Sequence, residues 1–63
     1  MDNDTLFDIF KAAIYNEHES AEFYRKAAAE ATNLEAKSLF EKFAAIERGH
    51  EAALEELYKT LKK

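Results

Sequence analysis

Residues 47–50 read Glu47-Arg48-Gly49-His50, a Glu-x-x-His pattern that lies within an apolar helical stripe. A carboxylate on such a face is costly unless it is paired, protonated or bound to a cation. Because residues i and i+3 of a helix project to the same side, the Glu47 carboxylate and the His50 imidazole can share one metal ion. The pattern therefore predicts a metal-binding helix. Apolar residues at helical spacing define the stripe, namely Phe40, Phe43, Leu54, Leu57 and Leu61.

Length and composition limit what the chain can be. Its 63 residues form one small domain, 1–63, which is too short to build a large core without an additional source of stability. Cysteine is absent, which excludes disulfides, so the additional stability must come from a metal, self-association or both. The net charge of −4 and the scattered basic residues argue against a nucleic-acid partner. Since neither a membrane-length apolar run nor a signal peptide is present, we expect a cytoplasmic protein without a membrane partner.

The periodicity predicts two helices joined by a very short turn. Good N-cap residues open the chain at Asp2-Asn3-Asp4-Thr5, and helical spacing without proline or glycine then predicts helix one over about 5–31. Thr32-Asn33 interrupts the pattern, and Asn33 is a natural N-cap for helix two, over about 34–61. The predicted fold class is all-α, an antiparallel two-helix hairpin.

The position of the turn predicts which side chains meet. Glu17 precedes the turn by about as many residues as Glu47 follows it, so the hairpin brings both carboxylates to the same height. Tyr24 lies two helical turns from Glu17, within about 20° of the same direction. One hairpin therefore directs Glu17, Glu47, His50 and Tyr24 to a common interior.

A lone hairpin leaves each apolar stripe half covered, which favours self-association. Two hairpins around a two-fold axis form a four-helix bundle that contains two copies each of Glu17, Glu47 and His50. This is the ligand set of a di-metal carboxylate bundle, and its four carboxylates balance two divalent cations. Bridging carboxylates with terminal imidazoles suit iron or manganese, so we expect two ions per dimer, of iron or manganese.

Three segments carry a resemblance to a known family: residues 13–17 (Ala-Ile-Tyr-Asn-Glu), residues 22–28 (Glu-Phe-Tyr-Arg-Lys-Ala-Ala) and residues 47–51 (Glu-Arg-Gly-His-Glu). They resemble the rubrerythrin branch of the ferritin-like superfamily. The short chain is similar to the encapsulated ferritins, whose two-helix subunits build a di-iron site between chains, and to the designed due ferri hairpins.

The resemblance implies a role for each candidate residue. Glu17 and His50 would be terminal metal ligands, and Glu47 would bridge the two ions. Tyr24 would be a hydrogen-bond donor beside the ligands and is the candidate catalytic residue. The implied activity is that of a ferroxidase, an oxidoreductase that oxidises Fe(II) with oxygen or peroxide. The implied assembly is a homodimer or a larger even-numbered homo-oligomer.

Departures from the family pattern concern partners and chemistry. Peroxide-reducing rubrerythrins usually carry a rubredoxin domain with four cysteines, so a chain without cysteine needs a separate electron donor. They also carry an additional glutamate near the metals, whereas Ser20 supplies no such ligand here. Encapsulated ferritins have a C-terminal extension that addresses them to a shell protein, and the present sequence runs only to Lys63. A shell protein stays an open alternative among the partners.

Other interpretations compete with the ferroxidase hypothesis. The same ligands would serve a non-catalytic metal-binding or iron-delivery module, and a plain helical dimerisation domain could hold Glu17 and Glu47 by chance. His18 and Glu22 form an i,i+4 pair that could bind a stray cation, although a solvated surface is the simpler interpretation. Small residues recur at Ala45, Gly49 and Ala53, which indicates either close packing between dimers or an accidental run.

Overall fold

A computed structural model describes all residues, 1–63, and contains two α-helices. Helix α1 spans Asn3–Glu30 and helix α2 spans Leu34–Leu61. They pack antiparallel as a hairpin measuring 47 × 15 × 14 Å. The all-α antiparallel hairpin predicted from the periodicity is confirmed. Neither helix is apolar enough over a sufficient length to cross a membrane.

Side-chain caps fix where each helix begins. Asp2 caps α1 by accepting a 2.7 Å hydrogen bond from the backbone N–H of Thr5, so α1 begins at Asn3, earlier than the periodicity predicted. Asn33 caps α2, as predicted, by accepting a 2.9 Å bond from the backbone N–H of Ala36. Such caps satisfy N–H groups that have no partner within the helix. Helix α1 ends at Glu30, and the backbone is extended at Ala31.

Three alanines form the fully buried seam between the helices: Ala21, Ala28 and Ala44, each at most 5% exposed. Aromatic rings pack together at one end of this seam, and a polar contact lies nearer the other end. Near the open end, the Tyr58 ring lies 5.7 Å from Phe7 and 6.0 Å from Phe10 between ring centroids. Nearer the turn, Lys37 Nζ donates a 3.0 Å hydrogen bond to the backbone carbonyl of Ala28. Only three of the 63 residues are buried, so one hairpin lacks a substantial core.

The two sides of the hairpin differ in chemistry. At about 100° per residue, six residues of α2 fall within an arc of about 60° that α1 covers only in part. Two apolar residues of α1 lie on the same side, and we call this surface the open flank. The other side, the charged flank, carries mainly ionisable residues. The open flank comprises Ile9, Phe23, Leu39, Phe43, Ile46, His50, Leu57 and Leu61; the charged flank comprises Lys11, His18, Lys37, Arg48, Glu51 and Glu55.

The predicted stripe of α2 is therefore divided between two surfaces. Phe40 and Leu54 are half-buried against α1, whereas Phe43, Leu57 and Leu61 are 36–50% exposed on the open flank. The reason is that the apolar stripe of α2 is wider than the surface that a single neighbouring helix can cover.

Gly49 lies on the outer surface of α2, where a Cβ atom would meet nothing within 4 Å. Nothing inside the hairpin therefore requires a glycine at this position. Packing between dimers at Ala45, Gly49 and Ala53 stays a prediction.

Candidate metal centre

The hairpin brings Glu17, Glu47 and His50 together at the middle of its length. Each offers a ligand atom, and the three atoms lie within 4.8 Å of one another. His50 Nδ1 is 3.4 Å from Glu17 Oε2 and 3.7 Å from Glu47 Oε1. Because Glu47 and His50 are one turn apart on α2 while Glu17 comes from α1, the antiparallel register creates the cluster. The predicted meeting of these three side chains is confirmed.

The two carboxyl groups lie in an environment that disfavours two full negative charges. The pKa of Glu47 is raised above its ordinary value, chiefly by a hydrogen bond to Glu17 that requires a proton. Partial desolvation and the charge of Glu17 raise this pKa further, and His50 opposes them. Glu17 Oε2 is shielded from solvent and has no hydrogen-bond partner. An unpartnered buried carboxylate oxygen beside a second carboxyl fits a cation site, since a cation would satisfy both groups.

The cluster lies at the border of the open flank. The side chains of Glu17 and Glu47 are 26% and 23% exposed, whereas that of His50 is 57% exposed. The imidazole therefore faces the carboxylates with Nδ1 and extends onto the uncovered surface. One hairpin thus supplies two carboxylates and one imidazole, and it leaves one side of the cluster open.

Tyr24 lies in an aromatic group rather than among the three candidate ligands. Its ring centroid is 5.3 Å from that of Phe23, 6.2 Å from Phe40 and 5.2 Å from Phe43. Seven residues separate it from Glu17, which is about 10.5 Å along a helix. Its hydroxyl makes no hydrogen bond within the hairpin, so a donor or catalytic role stays a prediction.

One polar contact near the cluster was not predicted. His18 Nδ1 lies 3.3 Å from Glu51 Oε2, across the two helices on the charged flank. The predicted i,i+4 partner of His18, Glu22, instead receives a 2.9 Å hydrogen bond from Arg25 Nε. The turn position gives only the height of His18 relative to α2, and the contact with Glu51 also depends on how the helices are rotated against each other, which the sequence pattern does not show.

The fold and the cluster together define a helical hairpin with a carboxylate–imidazole site of the kind that binds metal ions. The rubrerythrin family model matches residues 2–62, so the chain belongs to the rubrerythrin family. No curated protein and no solved structure matches the chain. Family membership and the Glu, Glu, His cluster together suggest a di-metal site.

The raised pKa of Glu47 makes the stability of the metal-free protein depend on pH. Between the ordinary value of 4.5 and the raised value, the folded chain binds more protons than the unfolded chain. This group therefore lowers the free energy of unfolding as the pH rises through that window. We expect Glu47→Gln to raise the melting temperature of chelator-treated protein at pH 7 and to have little effect near pH 4.5. Glu41→Gln, which neutralises an exposed carboxylate elsewhere on α2, is the control. A Glu47→Gln variant less stable than wild type at pH 7 would contradict the shared-proton interpretation.

Proposed function

We propose that this chain is a di-iron carboxylate protein that oxidises Fe(II) with oxygen or peroxide at a site completed by a second copy. The observation that carries the proposal is the cluster of Glu17, Glu47 and His50, with its shielded and unpartnered carboxylate oxygen. Family membership supports iron as the metal, with manganese as the alternative that the same ligands suit.

The open flank supports a two-fold dimer. Ile46 and Leu57 are 51% and 50% exposed, and Phe23 is 66% exposed, so the hairpin leaves large apolar side chains in water. A contiguous apolar surface of this kind is typical of an interface. A second hairpin placed against this flank would cover these side chains and the exposed His50 in one step. An isologous interface of this kind makes an even-numbered assembly, from a homodimer upward.

The dimer would complete the ligand set. Two hairpins contribute four carboxylates and two imidazoles, which match two divalent cations in charge and follow the pattern of one Glu from two helices and Glu-x-x-His from the other two. In this arrangement Glu47 would bridge the two ions, while Glu17 and His50 would each bind one. Nδ1 of His50 is the nitrogen that would bind, because it already faces both carboxylates.

The residues of the chain prepare the site for this chemistry. When bound, the iron pair supplies the electrons that reduce the oxidant. The neighbouring Glu17 carboxyl raises the pKa of Glu47, and a metal ion would take the place of the proton that this environment favours on Glu47. Phe40 and Phe43, together with the ring of Tyr24, lie on the turn side of the site and would restrict water there once the dimer forms. A thiolate-bound redox centre that returns the site to Fe(II) would have to lie outside residues 1–63, which contain no cysteine.

The test is anaerobic loading with Fe(II) followed by oxygen or peroxide, with Fe(III) formation followed by absorbance. We expect wild type to form Fe(III) much faster than buffer alone. Binding of Fe(II) without faster oxidation would identify an iron-binding or delivery module instead. Absence of Fe(II) binding would leave a plain dimerisation domain.

A pair of matched variants tests the assignment of the bridge. Glu47→Ala should weaken Co(II) binding more than Glu17→Ala, because a bridging carboxylate contacts both ions. Loss of a group beside a metal ligand costs about 10–100-fold in affinity, so loss of the bridge should cost at least about 100-fold. Calorimetric titration measures the Co(II) affinity of both variants, with Glu41→Ala as the control. Equal losses from the two variants would count against Glu47 as the bridge.

A further inference from the structure

His18 and Glu51 each directly follow a candidate ligand in the chain, since His18 follows Glu17 and Glu51 follows His50. His18 Nδ1 lies 3.3 Å from one oxygen of Glu51 and 3.4 Å from the other. As a carboxylate only accepts hydrogen bonds, the imidazole donates through Nδ1–H. The pair joins α1 to α2 on the charged flank, opposite the surface onto which His50 extends.

Packing alone does little to fix the helices at this height. The fully buried residues are alanines, Ala21, Ala28 and Ala44, and no large side chain is fully buried. Ridges of large side chains set in grooves hold one helix against another, and alanines form only shallow ridges. Fully buried large side chains therefore do not lock the two helices together along the alanine seam.

Few polar side chains cross between the helices. Apart from the candidate ligands themselves, the inter-helix contacts are His18 with Glu51 and, near the turn, Lys37 with the carbonyl of Ala28. The His18–Glu51 contact is thus the polar link at the height of the metal cluster. It also lies on the flank that the proposed dimer would leave uncovered.

We propose that His18 and Glu51 are positioning residues for the metal site, an inference that rests on the proposed function. Adjacent residues of a helix point about 100° apart. If Glu51 is held on the charged flank, the preceding residue, His50, points toward the open flank. If His18 is held on the charged flank, the preceding residue, Glu17, likewise points away from that flank and toward the open flank. The pair fixes the rotation of both helices at the level where three ligand atoms must converge.

The contribution of this pair to the folded state itself is small. The side chain of His18 is 59% exposed, and ion pairs exposed to solvent stabilise proteins only weakly. Removal of the pair should therefore leave the metal-free protein helical. Its effect should appear in the geometry and affinity of the metal site, since ligands must be held closely in place to bind well.

Anaerobic Co(II) titration of the full chain tests this proposal, because the visible spectrum of Co(II) reports coordination geometry independently of any activity. We expect His18→Ala and Glu51→Gln each to lower Co(II) affinity by up to about 5-fold, which is as much as a solvent-exposed pair can favour one arrangement of the helices, and to change the spectrum. The double variant should be no worse than either single one, as both remove the same contact. His18→Gln keeps a donor and should recover part of the affinity. Glu55→Gln, one turn along the same flank, is the matched control and should behave as wild type.

Several results would overturn the proposal. Variants of the pair that match Glu55→Gln in affinity and spectrum would show that the contact does not position the ligands. Additive losses in the double variant would show that His18 and Glu51 act separately. Residual Co(II) binding in Glu47→Ala that disappears with His18→Ala would make the pair a cation site of its own. If wild type itself binds no Co(II), the proposed function fails and this inference fails with it; if wild type binds and the variants match it, only the inference fails.

Discussion

Anaerobic addition of Fe(II) should raise the melting temperature of the wild-type protein by on the order of 10–20 °C. A ligand present at about 100-fold above its dissociation constant, and bound only by the folded state, adds about 2.7 kcal/mol to the free energy of unfolding. In a domain of this size, each kcal/mol shifts the midpoint by about 4–8 °C. The large effect follows from the cluster, where Glu17 Oε2 accepts no hydrogen bond and the adjacent Glu17 carboxyl raises the pKa of Glu47.

His50→Ala is the variant that locates this effect. It removes the imidazole that lies 3.4 Å from Glu17 and 3.7 Å from Glu47, so the metal-dependent rise should largely disappear. Mn(II) and Co(II) can replace Fe(II) in the same melting experiment, since they are less readily oxidised. Lowering the pH should also abolish the rise in wild type, because protons compete with the metal for all three side chains. An equal rise in wild type and His50→Ala would place the site elsewhere.

Ile46→Glu should separate the chains and abolish strong metal binding together. Ile46 is 51% exposed on the open flank, so the hairpin itself tolerates the change. In a two-fold interface the substitution appears twice, which places two uncompensated charges on the surface that must be covered. A hairpin alone keeps half of the proposed ligands, so Co(II) affinity should fall by at least about 100-fold. Sedimentation and Co(II) titration of the same sample measure both effects.

Leu34→Glu provides the matched control for this experiment. It makes the same change at an apolar residue that is 80% exposed and lies outside the open flank. This variant should keep both the even-numbered assembly and the metal affinity of wild type. If Ile46→Glu left both properties intact, the open flank would not be the interface that completes the site.

The turn explains why so much was predictable from the sequence. Once Asn33 caps α2, the chain must reverse there, and an uninterrupted α1 fixes the height of every residue relative to α2. Glu17, Glu47 and His50 then meet because of their distances from the turn. Such a register depends only on helix rise and turn position, both of which local sequence controls.

The remaining features depend on how one helix is rotated against the other. Periodicity placed Phe40 and Phe43 on one stripe, and both rings contact Tyr24 of α1, yet Phe40 is half-buried and Phe43 is exposed on the open flank. The contact of His18 with Glu51, in place of Glu22, likewise depends on rotation about the alanine seam. The ring of Tyr24 packs on Phe43 rather than beside the candidate ligands, which the register with Glu17 alone did not show.

The measurement that tests the central claim most directly is native mass spectrometry of wild type loaded anaerobically with Co(II) or Mn(II). It reports the number of chains and of metal ions in one assembly. We expect an even number of chains, with two metal ions for every two chains, and loss of the metal in His50→Ala. A monomer that carries two metal ions, or an even-numbered assembly that carries none, would contradict a site shared between two hairpins.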